Sequence, residues 1–355
     1  MRSLHIIGSK GPGGAERFYT RLLQALHRGG HEVLAVNPPD SHVARELGRN
    51  IRQQHVPMRS IMDLASHWQI RCAIRSFRPD IVQTWMGRAT RLTRLRHGQR
   101  PVHVARLGSY YQLKGYRHAH AWVGITQGIH DYLVDSGLPA ERVFNIGNFV
   151  PAVSPVAREI LSGLRSSLGI EETGRVVVAT GRLHPVKGFE DLLAAFSLLP
   201  ETLAGQSLYL VIAGDGPLRD QLHAEASRLG IDKRVRWCGW QDEPGPFIEL
   251  ADVVICPSRN EPHGNVILEA WSHRRPLVST DTKGGTELIE DGVNGLLVPC
   301  QDPRGLAAAM EALLQDARLR QQLVQAGLAT IHRNFSEEQI VSAYTGMYAA
   351  LAAGL

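Results

Sequence analysis

The sequence predicts an α/β protein made of two Rossmann-like domains in series. Three observations carry this expectation. Short apolar β-type runs alternate with amphipathic stretches, the pattern of parallel sheets covered by helices. The pattern runs twice, with a lapse into prolines at "NFVPAVSPVAREI" around residue 150. A chain of 355 residues also suffices for about two domains.

In the first series "LHIIG" (4–8) is a strand, followed by a glycine-rich turn and an amphipathic helix from Ala15 to Arg28. "GGHEVLAVNP", "RPDIVQTW", "PVHVARL", "AHAWVGIT" and "RVFNIGNFV" supply further strands. The second series reads "RVVVATGRL" (175–183), "SLYLVIAGDG" (207–216), "RVRWCGW" (234–240), "ADVVICPS" (251–258), "RPLVSTD" (275–281) and "NGLLVP" (294–299), with helices between. The expected domains are 1–150 and 151–335. A last helix, 336–355, opens with Ser336 and Gln339 at capping-box spacing. Ligands of such sheets bind at the carboxyl ends of the strands, so a cleft between the domains is the expected site.

Composition excludes several classes. With 43% hydrophobic and 21% charged residues the chain reads as an ordinary globular protein. Its four cysteines, Cys72, Cys238, Cys256 and Cys300, form no CxxC pair, which argues against a zinc ribbon or disulfide framework and fits a reducing cytosol. "SLHIIG" opens the chain without signal-peptide character, and no apolar run approaches the length of a spanning helix. The expected location is cytoplasmic.

Charge is unevenly shared. Residues 1–150 hold 21 Lys and Arg against 9 Asp and Glu, while residues 151–355 hold 18 against 25. The densest stretch is "MGRATRLTRLRHGQR", with Arg88, Arg91, Arg94, Arg96 and Arg100. A basic half implies an anionic partner, weighed against a solvated helix face. Nucleic acid is not expected, because no binding motif or aromatic interleaving accompanies the run.

Three stretches carry chemistry. "GSKGPGGAER" brings bare backbone and a helix start together after the first strand, a place that favours anions. Its glycines at 8, 11, 13 and 14 do not make the dinucleotide fingerprint, which argues against a nicotinamide oxidoreductase. "GRLHPVKGFEDLLAAF" sets Arg182 and Lys187 past a strand end, where two cations clamp a diphosphate. "PSRNEPHGNVILEAW" sets Glu261 in a loop, exposes backbone amides from Gly264 to Ile267, and places Glu269 inside the helix. One carboxylate suits a sugar and the other a ribose, which reads as a nucleotide-sugar site.

In this combination and order the stretches resemble the retaining glycosyltransferase family 4, of the B-type two-domain (GT-B) fold, which includes lipopolysaccharide and cell-surface polysaccharide transferases. The resemblance covers nearly the whole chain. It rests on "GPGGAER", "TGRLHPVKGFEDLLAAF", "LVIAGDGPLRDQL", "RVRWCGW", "EPHGNVILEAW" and "STDTKGGTELIEDGVNGLLVP".

The resemblance implies that Gly13 and Gly14 approach the donor phosphates, and that Arg182 and Lys187 bind the diphosphate and stabilise it as leaving group. It places Arg236 to Gly239 along the base, Glu261 with the backbone of Gly264, Asn265 and Val266 at the donor sugar, and Glu269 at the ribose. His263 stands where the motif is usually aromatic, and is expected to pack or touch the sugar. Many relatives carry a histidine after the strand matching "HVARL"; Gly108 stands there, so no catalytic histidine is assigned. Arg88, Ser109, Tyr110 and Tyr111 are the candidate acceptor contacts.

The implied reaction transfers a sugar from a nucleotide-sugar donor, UDP-linked by preference, to a saccharide or lipid-linked acceptor. Front-face attack is expected, with the departing diphosphate taking the acceptor's proton. No D-x-D motif occurs, two cations stand in its place, and neither a metal nor another cofactor is expected. The final helix is expected to cross to the N-terminal domain. Peripheral contact with an anionic membrane surface is a further expectation. The rivals are a sugar-nucleotide hydrolase or epimerase of the same fold, and a non-catalytic sugar-nucleotide-binding protein.

Overall fold

The computed structural model describes residues 1–151 and 153–354. The chain divides into two compact units, Met1–Phe149 with Glu337–Leu355, and Val150–Ser336. Each has its own parallel sheet and core.

Along the first unit run β1 (Arg2–Ile7), α1 (Gly14–Arg28), β2 (Glu32–Asn37), α2 (His42–Leu47), β3 (Arg52–His55), α3 (Leu64–Phe77), β4 (Ile81–Trp85), α4 (Met86–Leu92), β5 (Val102–Leu107), β6 (Ala121–Gly124), α5 (Gln127–Asp135) and β7 (Val143–Asn145). The sheet order is β3-β2-β1-β4-β5-β6-β7, and every pairing is parallel. Both faces are covered, so strands read as near-continuous apolar runs. In β1, Leu4 and Ile6 join the core under α3, while Ile7 points to the core under α1. The polar strand β3, "RQQH", was absent from the sequence reading. It is an edge strand paired only to β2, and so needs no apolar signal.

The second unit contains α6 (Arg158–Ser167), β8 (Arg175–Thr180), α7 (Phe189–Ser197), β9 (Thr202–Leu203), β10 (Gln206–Ala213), α8 (Arg219–Arg228), β11 (Val235–Trp237), α9 (Gly245–Leu250), β12 (Val253–Cys256), α10 (Asn265–Ser272), β13 (Leu277–Thr280), α11 (Lys283–Leu288), β14 (Leu296–Val298), α12 (Pro303–Gln315) and α13 (Ala317–Asn334). Its parallel order is β11-β10-β8-β12-β13-β14, with β9 antiparallel to β10. Alternate residues again feed two cores: Val177 and Ala179 one way, Val176 and Val178 the other. In both sheets the chain leaves the first strand on one side and later returns to pair on its other side. That reversal opens a crevice at the carboxyl ends of the two strands concerned.

The last helix, α14 (Glu337–Ala353), belongs to the first unit. Ile340, Tyr344, Met347, Tyr348 and Leu351 join the core that α1 covers. The Tyr348 hydroxyl donates to Gln83 Oε1 at 2.6 Å. Of the expected helix 336–355, Leu355 lies outside the described residues. Among the described residues no helix is long and apolar enough to cross a membrane.

Candidate functional site

In the second unit β8 and β12 are the neighbours at the reversal of strand order. Arg182 and Lys187 follow β8, and Glu261 follows β12, so topology alone gathers them at one end of the sheet. The two loops are knitted by backbone. Val186 O accepts from the amides of Arg259 (2.9 Å) and Asn260 (3.1 Å). Gly188 lies at their closest approach with φ 65°, and a Cβ there would drive into the Pro257 carbonyl oxygen. Arg259 forks onto Asp191 at 2.7 and 2.8 Å, fastening the β12 loop to the first turn of α7.

Lys187 donates from Nζ to the Glu261 carboxylate, forming an ion pair. The side chains are 30% and 12% exposed. Burial by itself would lower the ammonium, yet the charge of Glu261 leaves Lys187 above its ordinary value. Burial likewise works to raise Glu261, but Lys187, the Gly264 amide and nearby His263 hold it below the usual carboxylate range. Each group is therefore kept charged by the other.

Beyond Glu261, Gly264 caps α10 in the left-handed region (φ 87°, ψ 51°), where a side chain is strained. Two amides of this turn are already committed within the chain. That of Gly264 serves the Glu261 carboxylate, and that of Ile267 donates to Gly264 O at 2.9 Å. The expected run of available donors from Gly264 to Ile267 is therefore shortened by these two. Glu269 is buried one turn further along the same helix, and His263 is buried beside the loop. The Glu261 carbonyl accepts from Gly284 N at 2.8 Å, tying the start of α11 to the same corner.

Not every expected residue joins this group. Arg182 is exposed, with no ion pair among the described residues. Arg236 turns away: its guanidinium lies over the Tyr209 ring and donates to the carbonyls of Leu168, Lys233 and Gly169. It fastens the end of α6 to β11 rather than standing with Lys187 and Glu261. Gly239 follows β11 at the edge of the sheet, with φ 66°.

In the first unit β1 and β4 flank the corresponding reversal. Gly13 is the extended N-cap of α1 and Gly14 its first residue. Buried Glu16 sets its carboxylate against Gly13, so the chain's own anion already attends this helix start. Arg88 donates to Gly8 O (3.1 Å) and Met58 O (3.2 Å), joining the ends of both strands. A cavity of about 270 Å³ lies here, lined among others by Arg88, Arg91, Tyr111, Gln112 and Tyr116. Tyr111 and Tyr116 stack with centroids 5.8 Å apart. Of the candidate acceptor residues, Arg88 and Tyr111 thus share a cavity. Ser109 does not line it, and Tyr110 packs edge-on against Tyr132.

Gly108 follows β5. The nearby histidines are engaged elsewhere: His103 with Thr84 Oγ1 (2.9 Å), and His118 with the carbonyls of Thr90 and Thr93 (both 2.9 Å).

Two structural arginines were missed by the sequence reading. One is Arg259, whose partner lies 68 residues away. The other is Arg106, buried in β5, which bonds the Tyr344 hydroxyl at 3.1 Å and Asn148 and covers the Phe18 and Trp85 rings. A lone charge inside the apolar "VHVARL" was the available signal. Among the described residues no three His, Cys, Asp or Glu side chains are grouped to hold a metal ion.

Known proteins are similar to this chain. Residues 163–329 match the family described as glycosyl transferases group 1, and residues 12–152 match glycosyltransferase family 4. The chain is 35% identical over 342 residues to the lipopolysaccharide core biosynthesis glycosyltransferase LpsE of Rhizobium meliloti (strain 1021), covering 95% of this chain and 96% of the relative. It is 32% identical over 359 residues to LpsD of the same organism, described likewise, covering 98% of each. The structure of Anabaena HepE in complex with UDP-glucose matches with a TM-score of 0.85 at 22% identity, over 100% of both chains. That likeness carries the fold, two Rossmann-like units of the B-type glycosyltransferases. Identity above 30% along almost the whole of both Rhizobium relatives carries more, and by it this chain belongs to the group 1, family 4 glycosyltransferases.

Proposed function

We propose that this glycosyltransferase moves a sugar, with retention, from a UDP-sugar to a saccharide or lipid-linked acceptor of lipopolysaccharide or another cell-surface glycan. The observation that carries the reading is the Lys187–Glu261 ion pair at the strand-order reversal, beside the turn that opens α10. The names of the Rhizobium relatives support the acceptor class, and the UDP-glucose bound to HepE supports the donor.

On this reading the second unit holds the donor. Lys187 exchanges its hydrogen bond with Glu261 for the donor diphosphate, and exposed Arg182 adds a second cation. Glu261, released, accepts hydrogen bonds from the donor sugar, and Glu269 takes the ribose. The bond from the anomeric carbon to the phosphate oxygen breaks as the acceptor oxygen bonds to that carbon from the same face. The acceptor's proton passes to the departing phosphate oxygen. The cations oppose the growing charge, which is electrostatic catalysis without a protein base or a resident metal. The basic first unit holds the acceptor at Arg88 and Tyr111, and rests against an anionic surface on the cytoplasmic side of the membrane.

A thermal-shift screen of UDP- and GDP-sugars tests the donor. A donor at about 100 times its Kd stabilises by roughly 2.7 kcal/mol. The expected result is a shift with a UDP-sugar, followed by an α-configured product from an α-configured donor. No shift with any nucleotide-sugar would overturn the reading.

A further inference from the structure

Of the large apolar side chains exposed among the described residues, half fall within one short stretch of the first unit. Ile61 is 49% exposed, Met62 82%, Leu64 81% and Trp68 66%. Solvent-facing apolar groups of this size are ordinary when scattered, but side by side they mark a contact surface.

The stretch is held rigidly. Asp63 caps α3, accepting from Ser66 N (3.0 Å), Ser66 Oγ (2.8 Å) and Arg59 N (3.0 Å). Ser66 Oγ accepts from Met58 N at 2.9 Å, and Ser60 Oγ from Met62 N at 3.2 Å. The loop thus displays Ile61 and Met62 ahead of the helix in a fixed conformation.

Along α3 the apolar display continues into a basic one. Leu64, Trp68, Arg71 and Arg75 recur at i, i+4, i+7 and i+11, one stripe of the helix. Ser66, Ile70, Ala73, Ile74 and Phe77 are buried on the opposite side. Residues 48–79 hold six arginines against one acid, Asp63, whose carboxylate is already occupied. Ile61 also lines the cavity that contains Arg88 and Arg91, so cations flank the apolar patch on two sides.

We propose that this edge, Ile61 to Trp68 with Arg71 and Arg75, docks on an anionic lipid surface, its four apolar side chains entering the headgroup–acyl boundary and its arginines meeting lipid phosphates. Charge complementarity selects this occupant. A second copy of the chain, meeting the edge through a two-fold axis, would set the same arginines against each other. A bilayer offers both requirements together, an apolar layer and an anionic one. The proposal rests on the membrane-linked acceptor of the preceding reading. It assigns the anchoring to α3 and its leading loop rather than to the Arg88–Arg100 run.

The test uses the full chain with phosphatidylcholine vesicles, with and without phosphatidylglycerol. The wild type should co-sediment with the anionic vesicles at low salt, and brominated lipid should quench its tryptophan fluorescence. Trp68→Phe should lose most of that quenching. Met62→Ser/Leu64→Ser/Trp68→Ser should lower the partition coefficient by at least about tenfold, since partitioning scales with buried apolar area. All three positions are exposed, so UDP-sugar thermal shifts in these variants should match the wild type. Equal vesicle binding by wild type and triple variant would overturn the proposal. So would a wild-type dimer in sedimentation velocity that the triple variant dissolves. Loss of vesicle binding in the variant, with no nucleotide-sugar shift in any form, would uphold the edge while removing the transferase reading.

Discussion

Lys187 and Glu261 lie 74 residues apart in sequence, and meet as an ion pair because β8 and β12 are adjacent strands whose carboxyl ends open on the same corner. The pair gives a partly buried carboxylate and a partly buried ammonium their charge before any ligand arrives. On the proposed reading the donor diphosphate competes with Glu261 for Lys187, because it offers more negative charge than one carboxylate does.

The first prediction concerns the cations. Lys187→Ala and Arg182→Ala should each lower kcat by about 10²-fold, the usual effect of removing one electrostatic donor to a developing charge. Initial-rate assays with a UDP-sugar and a lipid-linked acceptor read this directly. Unchanged turnover in both variants removes the diphosphate assignment. EDTA should leave the wild-type rate intact, and a loss restored by Mg²⁺ or Mn²⁺ would contradict cation-only stabilisation.

The two glutamates should separate kinetically. If Glu269 holds the ribose as proposed, Glu269→Ala removes a contact made in ground and transition states alike, and the donor KM should rise more than kcat falls. Glu261→Ala frees Lys187 and deletes the proposed sugar contact, so kcat should fall more than KM rises. Equivalent behaviour of the two variants would contradict separate roles.

Stability should fall with acid earlier than carboxylate chemistry alone requires. In the first unit burial holds His5 down to about 3 and His120 down to about 4, the latter with His97 beside it, and depresses His103 and His118 as well. These folded-state values lie below the unfolded value of about 6.5, so the unfolded chain binds protons that the folded chain refuses. Nothing is lost above that pH. Between about 6.5 and 4, His5 and His120 should each cost on the order of 1 kcal/mol per pH unit, and His103 and His118 act in the same direction. Urea unfolding at a series of pH values measures the slope, and His120→Gln should make it shallower. A flat profile down to pH 5 would show that these histidines are protonated in the folded chain.

Periodicity was enough to locate most strands, because a sheet covered on both faces demands apolar runs, as in "RVVVAT" and "LYLVIA". The edge strand β3 escaped that reading because its RQQH sequence meets no such demand. The Lys187 loop, the Glu261 turn and the capping Gly264 were also legible, since residue types and local spacing mark loops and helix starts.

What the sequence by itself determined was therefore the alternation of elements and the chemical character of each loop. Which loops meet was decided only in three dimensions, by strand order. β8 pairs with β12, so Lys187 finds Glu261, while β11 lies at the sheet's edge, where Arg236 reaches backbone carbonyls. The same holds for the donors of α10, two of which are consumed within the chain, and for the edge of α3. An apolar residue is written identically whether it faces core or solvent. Only packing, which buries Ile70 and Ile74 and leaves Leu64 and Trp68 outside, tells the two apart.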